Sequence, residues 1–194
     1  SQKLSKEEDF LGVVDSESIY FGGGTMKVFI ENTCNFFSKL GKTKFTVIRQ
    51  SDIYGPLDKY QLDKSHVFAA TITKVMKEKD GGEIVVWGDG SDTKDFLYIE
   101  DLLNFIEISI RKQNSNYEVV NLGSSELITI KQLAEKVIRL SKKNIKIKFD
   151  LSKPSRKKSV RIDCTKVKKI FGWQSEIRIE AGINNVINWY KSNY

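Results

Sequence analysis

The sequence predicts an α/β fold. Short β-branched or aromatic runs such as Phe45–Ile48, Ile84–Trp87 and Glu118–Asn121 alternate with longer stretches of helical period. Glycine or proline punctuates most of the junctions between them. With 194 residues, 40% of them hydrophobic and 29% charged, the chain is long enough for one sizeable core of ordinary globular composition.

Taken in order, residues 1–26 are expected to be loop. They carry Glu7-Glu8-Asp9 and then Gly22-Gly23-Gly24, a triplet that resists regular structure. The spacing of Val28, Cys34, Phe37 and Leu40 predicts a helix over 27–40, with Gly41 in the C-cap position. Phe45–Ile48 reads as a buried strand, and Tyr54-Gly55-Pro56 as the turn that ends the run. A second helix is predicted over 66–79, closed by Gly81-Gly82. Ile84–Trp87 is a strand followed by the turn Gly88-Asp89-Gly90-Ser91, and Phe96–Tyr98 a short strand. The helix predicted over 100–112 places Leu102, Leu103, Ile106 and Ile110 on one stripe. The strand Glu118–Asn121 stops at Gly123, and Thr129 is the N-cap of a helix through Leu140, with Leu133, Val137 and Leu140 inward. Ile145–Phe149 alternates like a strand, and helices near 165–170 and 179–192 complete the pattern. There is no internal repeat.

Composition narrows the function. No apolar run approaches membrane-spanning length, and Ser1–Lys6 lacks the apolar core of a secretory signal. Two cysteines, Cys34 and Cys164, are too few for a disulfide framework or a metal knuckle, so reduced thiols and a cytoplasmic location are expected. A net charge of +7 suits an anionic partner, either a phosphate-bearing small molecule or nucleic acid. The basic residues gather at Lys142, Lys143, Lys146, Lys148, Lys153, Arg156, Lys157, Lys158 and Arg161. Such a run is either a solvated surface or a partner for a diphosphate. Residues 151–162 contain no aromatic side chain for base stacking, which argues against nucleic acid. Gly22-Gly23-Gly24 follows no apolar strand, so it is not read as a phosphate cradle.

Four segments carry a family resemblance. They are KFTVIRQSDIYGP (44–56), LDKYQLDKSHVFAA (57–70), VVWGDGSDTKDFLYIEDL (85–102), and the run from Asp163 through Gly172-Trp173 to Trp189-Tyr190. In this order and spacing the chain resembles the extended short-chain dehydrogenases/reductases, the NAD-dependent epimerase/dehydratase family, and is most similar to the GDP-fucose synthase group. The resemblance implies the C-terminal part of a Rossmann-type NAD(P)-binding fold plus a small α/β substrate-binding region. It reads as a single truncated domain, with 1–60 a remnant of the Rossmann half and 61–194 mostly substrate-binding.

The resemblance also implies roles. Lys27 and Glu31 match the family's Tyr-x-x-x-Lys-x-x-x-Glu, where the Lys holds the cofactor and lowers the Tyr pKa. Ser51 falls on the cofactor side. The Tyr position is occupied by Gly23, with Tyr20 seven residues before Lys27, and the family's glycine-rich fingerprint would precede residue 1. NADP or NAD is therefore implied but not expected to bind this chain alone. Ser65-His66-Val67 matches a setting in which the imidazole is an acid/base for a keto-sugar, although a lone His at a helix start is also a surface or capping group. Val67, Lys74, Trp87, Lys94 and Arg161 fall at substrate positions. Lys94 replaces the family's Arg, and Asp52 replaces an Asn that contacts the sugar. Lys74 and Lys94 read equally as solvated lysines, and Trp87 as a packing residue or a base-stacking one. Arg49 is expected to be structural. The implied function is the substrate-binding part of an NAD(P)-dependent nucleotide-sugar epimerase/reductase, inactive alone. The alternative is a non-catalytic nucleotide-sugar or protein-binding module. Partners would be a GDP- or UDP-sugar, with no nucleic acid and no membrane. The strand at 45–50 would lack neighbours, favouring a homodimer or larger oligomer. The whole reading expects His66, Lys74 and Lys94 to converge.

Overall fold

The computed structural model describes residues 4–10, 12–18, 21–153 and 161–194. Strand β1 (Leu4–Ser5) and a 3-10 turn (Glu7–Asp9) precede helix α1 (Phe21–Ser38). β2 (Phe45–Gln50) and β3 (Asp52–Tyr54) lead into α2 (Val67–Lys77), and β4 (Glu83–Trp87) and β5 (Thr93–Tyr98) into α3 (Ile99–Lys112). β6 (Tyr117–Leu122) and β7 (Leu127–Thr129) lead into α4 (Ile130–Ser141). β8 (Lys146–Asp150), β9 (Arg161–Ile162), α5 (Thr165–Phe171) and α6 (Ile179–Asn193) follow.

The α/β expectation holds, and the pairing is mostly parallel. β2 lies beside β6, β3 beside β5, β4 beside β8 and β1 beside β9, while β7 runs antiparallel to β5. Every parallel pair joins strands distant in sequence, with a helix in the connection, as parallel pairing requires. One core gathers Tyr54, Phe68, Ile72, Phe96, Leu133, Val137, Ile183 and Val186 between β3–β5 and helices α2, α4 and α6. A second gathers Leu97, Phe105, Val120, Leu122, Val167, Phe171 and Trp173.

Local signals at α4 hold in detail. The Gln132 amide donates to Thr129 Oγ1 at 3.0 Å and the Thr129 amide to Gln132 Oε1 at 2.8 Å, a reciprocal capping box. Other expectations need correction. Residues 4–9 are not loop: β1 pairs with β9, and the Glu7 carboxylate accepts from the Asn121 amide at 2.7 Å. The glycine triplet lies inside α1, whose first turns start at Phe21. Gly24 faces Val14 there: a Cβ would come 2.9 Å from Val14 Cγ1, so a larger residue needs Val14 to shift.

In α3 the buried positions are Asp101, Phe105 and Ser109, while Leu103, Ile106 and Ile110 are 52%, 36% and 79% exposed. The buried face is chosen by Phe171 and Trp173, whose rings meet Phe105 edge-on at 5.3 and 5.6 Å. The strand at 45–50 does have a neighbour, β6, and among the described residues its other edge has no paired strand. β2 is accordingly only half-buried.

Candidate functional site

β2 and β6 run parallel and end together at Gln50 and Leu122. The Ser51 amide donates to the Leu122 carbonyl at 2.8 Å, closing the two carboxyl ends. In open parallel sheets ligands approach this end, beyond the last strand residues. Ser51 Oγ is buried there without a hydrogen-bond partner. A buried hydroxyl in that state costs free energy unless a ligand supplies the missing bond.

Asp52 and Lys94 follow on β3 and β5. The Lys94 ammonium meets the Asp52 carboxylate at 2.6 Å, with side chains 36% and 51% exposed. The next residue, Asp95, is buried and does not face water. Its carboxylate accepts from Ser124 N and Ser124 Oγ at 2.8 Å each and from Ser125 N at 3.2 Å, holding the loop after β6. Gly123 must be glycine here, since a Cβ would stand 2.6 Å from Asp95 Oδ2. Arg161 joins the same loop by donating to the Ser125 carbonyl at 3.1 Å. Ser51, Asp52, Lys94 and Arg161 are thus linked through Asp95 and residues 123–125.

Alternation along the strands puts Asp52 and Tyr54 on one face of β3, and Lys94 and Phe96 on one face of β5. Phe68, two residues after His66, packs on that face, with ring centroids 4.1 Å from Tyr54 and 5.5 Å from Phe96. The stack pins the start of α2 over the strands that carry Asp52 and Lys94. His66 is the N-cap residue of α2 and exposed, and its side chain makes no capping bond, which sets aside the capping role and leaves a surface imidazole or an acid/base. Val67 begins the helix, partly buried.

Lys74 lies two turns further along α2 and points elsewhere. Its ammonium donates to the Val85 carbonyl of β4 at 2.7 Å, and burial lowers its pKa below the ordinary lysine value. The structure therefore places His66 two residues before the Phe68 that packs on Phe96 of β5, while Lys74 is directed to the Val85 carbonyl of β4 and does not join Lys94 as expected. Trp87, on the exposed side of β4, is 59% exposed, which sets aside its packing role; the Lys153 ammonium sits 5.7 Å from its ring centroid. Lys27 is exposed on α1, one turn before Glu31. Glu31 holds Arg49 through two bonds of 2.7 and 3.0 Å, and Arg49 also reaches the Glu7 carbonyl and the Phe10 ring. Arg49 is thus a tie between α1, the acidic turn and β2.

Two cavities flank residues 123–125. One of about 520 Å³ is lined by Phe96, Ser124, Glu126, Arg178 and Glu180 among others, and one of about 240 Å³ by Gly123, Ser125, Arg161, Cys164 and Lys168 among others. Burial pushes the Cys164 thiol up to about 11, so it is no ready nucleophile. Asp95 is the site residue that sequence reading left without a role, while Lys153, read there only as part of the basic run, lies against Trp87. Asp95 stands beside Lys94 in the quoted 85–102 segment, but its burial depends on a loop thirty residues away. Tyr20, Arg156, Lys157 and Lys158 lie outside the described residues. Among the described residues no helix is long and apolar enough to cross a membrane, and no group of acidic, His or Cys side chains is arranged to hold a metal.

Parallel strands joined through helices define the α/β class, and the chain belongs to the NAD dependent epimerase/dehydratase family, whose model matches residues 8–123. It is 33% identical over 162 residues to the GDP-L-fucose synthase of Sinorhizobium fredii, covering 82% of this chain and 51% of that protein. It is 25% identical over 186 residues to the GDP-L-colitose synthase of Yersinia pseudotuberculosis, covering 94% of this chain and 60% of that one. The crystal structure of UDP-glucose 4-epimerase with UDP-glucose from Thermotoga maritima aligns with a TM-score of 0.73 at 25% identity, over 89% of this chain and 53% of that one. The chain spans about half the length of the curated relatives it matches.

Proposed function

We propose that these residues form the nucleotide-sugar side of an NAD(P)-dependent epimerase/reductase of the GDP-fucose synthase type. One observation carries the reading: the Tyr54–Phe68–Phe96 stack holds the helix start bearing His66 over the strand pair bearing Lys94. An exposed imidazole suits proton transfer next to a sugar carbonyl, because the ring can both accept and donate a proton. Lys94 and Arg161 serve the diphosphate, and Asp52 and the Val67 backbone serve the sugar. Trp87, with Lys153 beside it and Lys74 behind its strand, offers a face for the base.

Ser51 and Lys27 are the residues that would hold a nicotinamide cofactor, which when bound supplies or accepts hydride. The unsatisfied Ser51 hydroxyl fits that role. Among the described residues no strand runs through a glycine-rich turn into a helix to cradle a pyrophosphate, so this chain by itself is expected to bind NAD(P) weakly and to transfer no hydride. A second reading, a non-catalytic nucleotide-sugar module, is favoured by Gly23, which places no phenol one turn before Lys27. Phe29, Ile30, Phe36 and Phe37 on α1 are 66%, 55%, 57% and 52% exposed, so the chain is expected to sediment as a dimer or larger.

The test is calorimetric titration with GDP-fucose, UDP-glucose, NAD and NADP, beside NMR detection of solvent deuterium entering a GDP-keto-sugar. Exchange that disappears in His66→Asn supports the enzyme reading. Sugar-nucleotide binding without exchange supports the module. No binding of either sugar nucleotide refutes both.

A further inference from the structure

The 2.6 Å pair between Lys94 and Asp52 has consequences for which ligand the site accepts. The two side chains lie on adjacent parallel strands, β5 and β3, and share the face that the start of α2 overlooks. Neighbouring groups are wholly or partly committed. Asp95 is filled by the Ser124 and Ser125 donors, while Arg161 spends one of its five N–H donors on the Ser125 carbonyl. The pair is neutral as a unit, and at 36% and 51% exposure it is open enough for a ligand to exchange with either member.

A phosphate that takes the Lys94 ammonium displaces Asp52. An ionised carboxylate accepts hydrogen bonds and donates none, so the displaced Asp52 repels the incoming phosphate unless it receives a donor of its own. A bare nucleoside diphosphate brings anionic oxygens but no hydroxyl beyond the diphosphate. A sugar attached there brings hydroxyls next to the phosphate. Resting on the nucleotide-sugar reading above, we propose that Asp52 is a specificity-determining residue. It keeps Lys94 occupied until a ligand arrives that offers phosphate to the lysine and a hydroxyl to the carboxylate together. The exchange then conserves one charge-assisted contact for each member. A free nucleoside diphosphate, lacking the hydroxyl donor, is selected against by the same pair.

The experiment is calorimetric titration of the full chain and of Asp52→Asn with GDP, UDP, GDP-fucose and UDP-glucose. Circular dichroism checks that the variant is folded, and Asp52→Asn/Lys94→Gln serves as a second variant. An exposed pair is worth about 0.2–1 kcal/mol, so Asp52→Asn is expected to bind the bare diphosphates about 1.4- to fivefold more tightly. Its affinity for the sugar nucleotides is expected to stay level or fall, so that the preference for the sugar form shrinks. The Lys94→Gln change is expected to cancel the gain in diphosphate affinity. Unchanged or weaker diphosphate binding by Asp52→Asn, beside measurable sugar-nucleotide binding by the unmodified chain, overturns this proposal and leaves the nucleotide-sugar reading standing. Absence of binding by every chain to all four ligands overturns both. A tightening equal for diphosphates and sugar nucleotides also overturns it, since that is a general charge effect without selection.

Discussion

Replacing Asp95 by Asn tests whether the loop after β6 is built on a carboxylate. The side chain is 5% exposed. Oδ1 accepts from both Ser124 donors at 2.8 Å, and Oδ2 from the Ser125 amide at 3.2 Å. An amide of the same shape keeps one acceptor atom and turns the other into a donor. Keeping the oxygen on Ser124 leaves the new NH2 facing the Ser125 N–H; turning it round leaves two Ser124 donors facing NH2. Either way at least one buried donor loses its partner, a cost of about 1–3 kcal/mol. For a chain of this size that corresponds to a fall in Tm of roughly 2–12 °C. The loop lines both cavities through Gly123, Ser124 and Ser125, so sugar-nucleotide affinity should fall with it. Thermal unfolding by circular dichroism and the same calorimetry measure the two effects. A variant melting within about 1 °C of the unmodified chain, with unaltered affinity, refutes the reasoning.

Two further predictions concern the frame of the site. The Tyr54 hydroxyl is buried without a partner, its pKa is driven upward by burial, and a Cβ at Gly182 of α6 would overlap it. Tyr54→Phe is expected to stabilise the chain by about 1 kcal/mol in urea unfolding, and to restore part of the stability lost in Gly182→Ala. A Tyr54→Phe chain less stable than the original would show that the hydroxyl is satisfied. Lys136 bonds Glu180 between α4 and α6 and holds the Glu180 pKa below the ordinary value. A carboxylate depressed in this way contributes stability above its unfolded pKa, and loses it as pH falls through the folded one. Glu180→Gln should therefore flatten the loss of stability on acidification from about pH 5 to pH 3, and parallel curves for the two chains would exclude the linkage.

What was legible in the sequence was what neighbours along the chain decide. Thr129 and Gln132 cap α4 because three residues of spacing suffice for a capping box. Strands at 45–50 and 83–87 and helices at 67–77 and 130–141 are written in local period and in turn residues. The resemblance placed Lys27, Ser51, His66, Lys94 and Arg161 at positions of interest without saying what any of them touches. Long-range contact decided the rest. Of the stripe Leu102, Leu103, Ile106 and Ile110, which has the helical period of a buried face, only Leu102 packs against the core, because Phe171 and Trp173 turn Phe105 inward. A helix reads the same on either side until something packs against it. Gly22-Gly23-Gly24 looks like a breaker, yet α1 continues through it, with Val14 against Gly24. Asp52 and Lys94 lie forty-two residues apart, and only the parallel register of β3 with β5 makes them one neutral pair. Side-chain chemistry is present in the sequence itself, but charge balance depends on distance, and distance between remote residues exists only once the chain has folded.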